Sequence, residues 1–249
     1  MIVNEMTDIE KQPKNWIPSA FQNAARNLAK DAVKQFVNQR GIQVIGLGSG
    51  PMAAEIVRQM KGYTKVKKMV ECVITSFQIK LEAGNIGLKV VDEGRIPEID
   101  VVFDGADEID SNYNMIKGGG GALLKEKIVH SAAKKIIIAA ESNKFVDKFS
   151  WPVPIEVFPF AISIVTKELE QRAEGRPKLR MLNEGYPYVT ENGNFILDTR
   201  FDFSTISNIR QKEVELKSIP GIVEVGLFTR RADVYYKANN DGTFDIIKS

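Results

Sequence analysis

DVVFDGADEIDSNYNMIKGGGGALLKEKI, residues 100–128, changes character several times within a short span. An apolar run, Ile99 to Phe103, stops at Asp104, and three further acids follow at Asp107, Glu108 and Asp110. A polar turn, Ser111 to Asn114, leads to Lys117, then to four consecutive glycines, Gly118 to Gly121. From Ala122 onward good helix formers take over. The order is therefore strand, acidic loop, lysine, glycine loop, helix. In open α/β sheets ligands bind beyond the carboxyl ends of the strands, which is where Asp104 falls. Four glycines lose much chain entropy on ordering, and one use that offsets the loss is to bring backbone N–H groups against an anion. Clustered carboxylates are expected to raise at least one pKa, with Lys117 opposing the shift.

The flanking chain repeats the strand–helix alternation. Apolar residues from Ala20 to Val37 recur at helical spacing, with Pro18-Ser19 as a start and Gly41 as a stop. Gln43 to Leu47 reads as a strand, followed by the loop Gly48-Ser49-Gly50-Pro51 and a helix through Met60. A strand, glycine turn and helix cradle phosphates, but a dinucleotide fingerprint would need glycine where the chain has Pro51. Its ribose-binding acid would have to be Glu71, inside the next strand, so a phosphorylated small molecule fits better. Strands follow at 69–74, 88–92, 99–103 and 135–140, and helices at 77–85 and 122–133. In the last helix Leu124, Ile128, Val129, Ala132 and Ala133 read as the buried face, with Glu126 pointing elsewhere. The pattern predicts an α/β fold, a doubly wound and mostly parallel sheet.

The texture changes at Trp151. WPVPIEVFP, residues 151–159, is too rich in proline for a central strand and reads as an edge strand or linker. A helix over 161–173, a strand over 178–182, a type I′ hairpin at Asn192-Gly193 and a helix over 205–218 make a smaller α+β domain. The short strands 223–227, 233–237 and 244–247 read as a return to the first domain. The division is 1–150, completed by 226–249, around an inserted domain 151–225.

Composition excludes several classes. A net charge of +2, with Lys65-Val66-Lys67-Lys68 as the basic block, argues against nucleic acid. No apolar stretch approaches the ~20 residues that span a bilayer. The first residues, polar and patternless, carry no secretory signal and read as a flexible arm, so a cytoplasmic protein is expected. Single Cys72 and single His130 cannot build a usual zinc site. Cys72 reads as buried filler and His130 as an ordinary helix residue.

Six segments in chain order resemble the signature segments of type A ribose-5-phosphate isomerases: GLGSG, TSFQ at 75–78, DGADEID, KGGGGALLKEKIV, ESNKFVD at 141–147 and NGNFILD at 192–198. The resemblance runs from about Ala20 to Phe228. It implies a Rossmann-like catalytic domain and an aldose–ketose isomerase of the non-oxidative pentose phosphate pathway. Ribose 5-phosphate and ribulose 5-phosphate would interconvert through an enediolate, with no metal and no cofactor. Glu126 matches the family's general base, Asp104 the group that assists ring opening, and Lys117 the stabiliser of the developing oxyanion. Asp107 matches a further active-site residue. Ser49, Gly50, Pro51 and Met52, Gly105 and Ala106, Gly118, Gly119 and Gly120, and Lys144 occupy substrate-contact positions. Arg26 falls where the family often has a basic residue near the phosphate. Family members are commonly dimers or tetramers, so a homodimer or homotetramer is expected.

Pro51-Met52 departs from the small hydroxyl residues usual after GLGSG, which puts the phosphate end of the pocket in question. Two alternatives come from other classes. Some bacterial repressors carry a similar domain that senses phosphosugars without converting them, although the arm before Trp16 is too short for a helix-turn-helix. A metal-dependent enzyme could use the acid cluster.

Overall fold

The computed structural model describes residues 17–37, 39–63 and 69–248. The arm Met1–Trp16 and the basic block Lys65–Lys68 lie outside the described residues. A seven-stranded sheet forms the centre: β1 (Val44–Leu47), β2 (Glu71–Ile74), β3 (Lys89–Val90), β4 (Val101–Asp104), β7 (Ile136–Glu141), β13 (Val234–Ala238) and β14 (Phe244–Lys248). Their spatial order is β14-β13-β7-β4-β1-β2-β3, all parallel except β14. The central strands are buried on both faces, which is why they read as unbroken apolar runs. From β1 the chain moves outward to β2 and β3, then returns to β4 on the other side of β1. That reversal opens a crevice at the carboxyl ends of β1 and β4, beside Gly48 and Asp104.

Helices cover both faces. Helices α1 (Gln22–Ala32), α2 (Gly50–Gln59) and α3 (Phe77–Asn85) build one core with Ile45, Leu47, Phe103 and Tyr236. Helix α4 (Leu123–Ser131) packs on the other face with Val102, Ile136, Ile138 and Tyr235. Its buried stripe differs from the expected one: Leu123, Glu126, Val129 and His130 are inside, whereas Ile128 is 43% exposed. Two polar residues occupy the inner face, so apolar spacing alone misplaces the helix rotation.

A second, antiparallel sheet has the order β11-β8-β10-β9, from β8 (Val153–Val157), β9 (Arg176–Leu179), β10 (Phe195–Arg200) and β11 (Ile222–Val225). Helices α5 (Ile162–Gln171) and α6 (Ile209–Lys217) contribute Val165, Leu169 and Leu216 to its core. The expected edge strand is therefore a central one, and β11 belongs here rather than to the main sheet. Backbone accounting explains how Pro154 is tolerated in β8. Its carbonyl accepts from the Gly226 N–H at 2.7 Å, and the carbonyl of Gly226 accepts from the Lys117 N–H at 2.9 Å. Lys117 thus takes the acceptor that proline, lacking an N–H, leaves free. A Cβ on Gly226 would lie 2.8 Å from Pro154 Cδ, so glycine is needed at this crossing. A small third sheet, order β12-β6-β5, joins β5 (Glu108–Ile109), β6 (Met115–Ile116) and β12 (Leu227–Phe228) between the other two.

Two local expectations are also corrected. The 190–194 hairpin closes with Gly193 N–H donating to Thr190 O at 2.9 Å, and only Gly193 of the loop has positive φ. That is a type I turn followed by a left-handed glycine, not a type I′ turn. Helix α6 starts at Ile209 rather than 205, because Asn208 caps it by accepting from Gln211 N–H at 3.0 Å.

Candidate active site

The crevice holds a cavity of about 440 Å³. Ser49, Gly50, Pro51 and Met52 line it from the start of α2, and Gly105, Ala106 and Asp107 from the turn after β4. Lys117, the glycine loop, Glu126 and Lys144 complete the expected set. Arg26 is the correction: it lies on the exposed face of α1, opposite buried Ala24, Ala25 and Leu28, and does not line the cavity. The family resemblance, not its place in the helix, put Arg26 near the phosphate.

Lys117 is the hub. Its Nζ donates to Gly105 O at 2.6 Å and lies 3.0 Å from Asp104 Oδ2 and 3.1 Å from Glu126 Oε2. All three side chains are buried. Burial alone would lower the lysine pKa, but Asp104 and then Glu126 outweigh it and hold the ammonium well above its ordinary range. The two carboxylates respond in opposite directions. Burial would raise Asp104 too, yet Lys117 and the hydrogen bond from His130 keep it below the usual range. Glu126 is pushed up to about 7, by burial first and by the charge of Asp104 second, against the pull of Lys117 and Ser49.

Each position has a local cause. Asp104 Oδ1 accepts from the N–H groups of Gly105 at 2.7 Å and Ser49 at 3.3 Å. A Cβ on Gly48 would fall on the Asp104 carboxyl, so only glycine lets the β1 turn approach. Glu126 sits in the first turn of α4, and Ser49 Oγ donates to its Oε1. Ser49 is the N-cap residue of α2 but makes no side-chain cap bond, and its hydroxyl is turned to Glu126 instead. Ser76, by contrast, caps α3 by accepting from Ile79 N–H at 3.3 Å.

The acids after Asp104 do not form one cluster. Asp107 Oδ2 accepts from Gly119 N–H at 2.7 Å and pins the glycine loop. Glu108 accepts from the N–H groups of Ser150 and Trp151, at 2.8 and 2.9 Å. Asp110 closes its own turn through the N–H groups of Asn112 and Asn114. The raised carboxyl is therefore Glu126, outside the acidic run. Among the described residues no three His, Cys, Asp or Glu side chains converge as metal ligands.

Several site residues carried no assigned role in the sequence reading. Ser76, Gln78, Ala139 and Glu191 also line the cavity. TSFQ contained the first two, and the 190–194 hairpin contained Glu191, whose Oε1 accepts from Phe77 N–H at 2.7 Å. Arg180 chelates Asp198 and donates from Nη1 to the carbonyls of Gly118 and Gly119, both at 3.0 Å. Tyr188 Oη donates to Gly120 O at 3.0 Å. The glycine loop is thus held by its carbonyls from the second sheet, and the Gly120 N–H, trans to Gly119 O, turns away from Arg180. His130, expected to be an ordinary helix residue, is buried with Nε2 2.9 Å from Asp104 Oδ2.

A buried carboxylate poised near neutrality, an ammonium beside it and oriented N–H donors can move a proton next to a carbonyl and stabilise the resulting oxyanion. Residues 71–242 match the family model described as ribose 5-phosphate isomerase A (phosphoriboisomerase A). The ribose-5-phosphate isomerase of Dictyostelium discoideum is 42% identical over 230 residues, covering 90% of this chain and 97% of that protein. The Homo sapiens ribose-5-phosphate isomerase is 38% identical over 238 residues, 92% of this chain and 75% of the human one. The solved ribose 5-phosphate isomerase A of Methanocaldococcus jannaschii superposes with a TM-score of 0.81 at 32% identity, over 91% of this chain and 99% of its own. A D-ribose-5-phosphate isomerase in complex with phospho-erythronic acid gives a TM-score of 0.83 at 34% identity, over 92% and 99%.

Proposed function

The chain belongs to the ribose 5-phosphate isomerase A family, and on that premise we propose how its own residues divide the reaction. The protein is an aldose–ketose isomerase interconverting D-ribose 5-phosphate and D-ribulose 5-phosphate, not a sensing domain of the repressor type. Glu126 is the base that carries the proton between C1 and C2. The observation that carries this is its carboxyl, buried at the cavity and raised to about 7, where it is ionised enough to accept a proton and weak enough to return it. Lys117 and the Gly120 N–H oppose the charge that develops on the enediolate oxygen.

Asp104 has a different task from the one the resemblance implied. It is fully buried and is not among the cavity-lining residues, so it acts by holding Lys117 rather than by touching sugar. Asp107 lines the cavity and is the carboxylate placed to shuttle the ring-opening proton. The phosphate sits at the start of α2, whose dipole and N–H groups favour an anion, with Lys144, Ser76 and Gln78 nearby. We also read the protein as a cytosolic homo-oligomer. Phe158, Phe160 and Ile164, together at the start of α5 and exposed, are a surface that a second copy would cover, and light scattering on the purified chain reads the state.

The test of the proton-transfer reading is isomerase activity against pH in excess EDTA. Full turnover with an acid limb near pH 7 is expected. Activity that vanishes on chelation and returns with Mg²⁺ would hand the reaction to a metal.

A further inference from the structure

We propose that His130 is a positioning residue of this active site, whose Nε2–H holds Asp104 Oδ2 against Lys117. The proposal rests on the role given above to the Asp104–Lys117 pair. His130 is the chain's one histidine. It reaches Asp104 from the last turn of α4, on the same buried stripe as Glu126.

The tautomer follows from the partners. Asp104 is held as a carboxylate, which only accepts, so the nitrogen 2.9 Å away must donate. Nδ1 is buried and has no hydrogen-bond partner among the described residues. A proton there would be a stranded donor, whether on the other neutral tautomer or on the imidazolium. Burial lowers the imidazole pKa; Asp104 opposes this, while Lys117 and Arg230 add to it, and the net shift is downward. Lys127, one turn earlier, faces the Phe228 ring and Glu213 instead. His130 is therefore a neutral Nε2–H donor across the working pH range.

The ring is itself fixed. Arg230 donates to the carbonyls of His130 and of Ala133, the latter at 2.8 Å, tying down the end of α4. Phe228 meets the imidazole edge-on at 5.4 Å. Asp104 Oδ1 is fastened by two backbone N–H groups, whereas among the described residues Oδ2 has only Lys117 and His130. Without the histidine, one ion pair alone would hold Oδ2, and through it the place of Nζ between Asp104 and Glu126.

Two measurements test this. Nitrogen-15 NMR of the single imidazole in the intact protein should show the Nε2–H tautomer with no titration between pH 6 and 9. In Asp104→Asn, where the amide presents a donor in place of Oδ2, the tautomer should invert. His130→Leu should lose roughly tenfold to a hundredfold in kcat with KM little changed, the loss expected for one hydrogen bond to a charged group. His130→Gln, whose amide N–H can reach the same place, should recover most of it. A residue that merely fills space would make Gln no better than Leu. An Nδ1–H tautomer, an ordinary titration near pH 6.5, or a folded Leu variant with parental kcat would each overturn the proposal. Glu126→Gln should leave the imidazole signal unchanged. Activity retained in Glu126→Gln beside the expected tautomer would sink the assignment of the base and leave this inference standing.

Discussion

Asp104 and Glu126 lie either side of one ammonium, at 3.0 and 3.1 Å, and both are buried, yet their carboxyls shift in opposite directions. Asp104 closes a strand, where two backbone N–H groups, Lys117 and His130 all converge on it. Glu126 opens a helix with one hydroxyl and a share of the same lysine, and its Oε2 has no aligned hydrogen bond among the described residues. At Asp104 the charge of Lys117 and the hydrogen bond from His130 overcome burial, whereas at Glu126 burial and the charge of Asp104 together outweigh Lys117 and Ser49. On the proposed reading this is a division of labour, a fixed anion and a second carboxylate that carries the proton.

The largest effect expected from breaking this pair comes at Glu126. Glu126→Gln keeps shape and hydrogen bonding but removes the base, so kcat should fall by roughly two to four orders of magnitude. The same variant should report the burden of a buried carboxylate. Its folded pKa of about 7 stands above the ordinary 4.5, so its contribution to stability is present below pH 4.5 and lost as pH rises through 7. Denaturation of parent and variant should therefore show Gln gaining on Glu from pH 5 to pH 8, by up to about 3 kcal/mol. A difference that shrinks with rising pH would mean that Lys117 dominates and that the carboxyl is not raised.

A smaller loss is expected on the other side of the ammonium. Asp104→Asn removes the second cause of the raised Glu126 carboxyl and leaves Lys117 to pair with Glu126 alone. The acid limb of kcat/KM should move below 7, and kcat should fall by roughly tenfold to a hundredfold as the base weakens. An unchanged limb would show that burial, not Asp104, sets the poise of Glu126.

Much of this arrangement was legible in the sequence because it is local. Strand–glycine–helix alternation follows from apolar runs and turn residues, and DGADEID with KGGGG marked the loop ends that now line the cavity. What stayed hidden depends on contacts far along the chain. Arg180 and Tyr188 hold the glycine loop from more than sixty residues away. Pro154 could occupy a central strand only because Gly226 and Lys117 resolve its missing N–H. Apolar spacing turned Glu126 away from the buried face and left His130 an ordinary helix residue, since nothing local says that a buried ammonium and carboxylate await them. The acids 107, 108 and 110 read as one cluster because sequence proximity does not show which backbone N–H each one meets.

The smallest effect concerns the start of α2, which meets the Glu126 side of the pair through Ser49. Pro51 stands at the first turn of this helix, where its preset φ suits the backbone but supplies no N–H to an anion. Met52 lines the cavity but is also packed in the core, so exchanging it would cost packing as well, and the informative change is Pro51→Ser alone. Serine restores a backbone N–H and a hydroxyl at the phosphate end. A hydrogen bond to a charged group is worth about 1.5–3 kcal/mol in full, but Ser76, Gln78 and Lys144 already line that end and share the load. KM for ribose 5-phosphate should therefore drop by roughly threefold to tenfold, with kcat nearly constant, because a remote phosphate contact binds ground and transition states alike. The acid limb should not move, since Pro51 lies outside the Asp104–Lys117–Glu126 contacts. A KM that stays level or rises in a well-folded Pro51→Ser protein would place the phosphate elsewhere, at the α3 end of the cavity beside Ser76 and Gln78. A kcat that rises with the KM change would show instead that this turn reaches Glu126 through Ser49, coupling the phosphate end of the cavity to the Asp104–Lys117–Glu126 contacts.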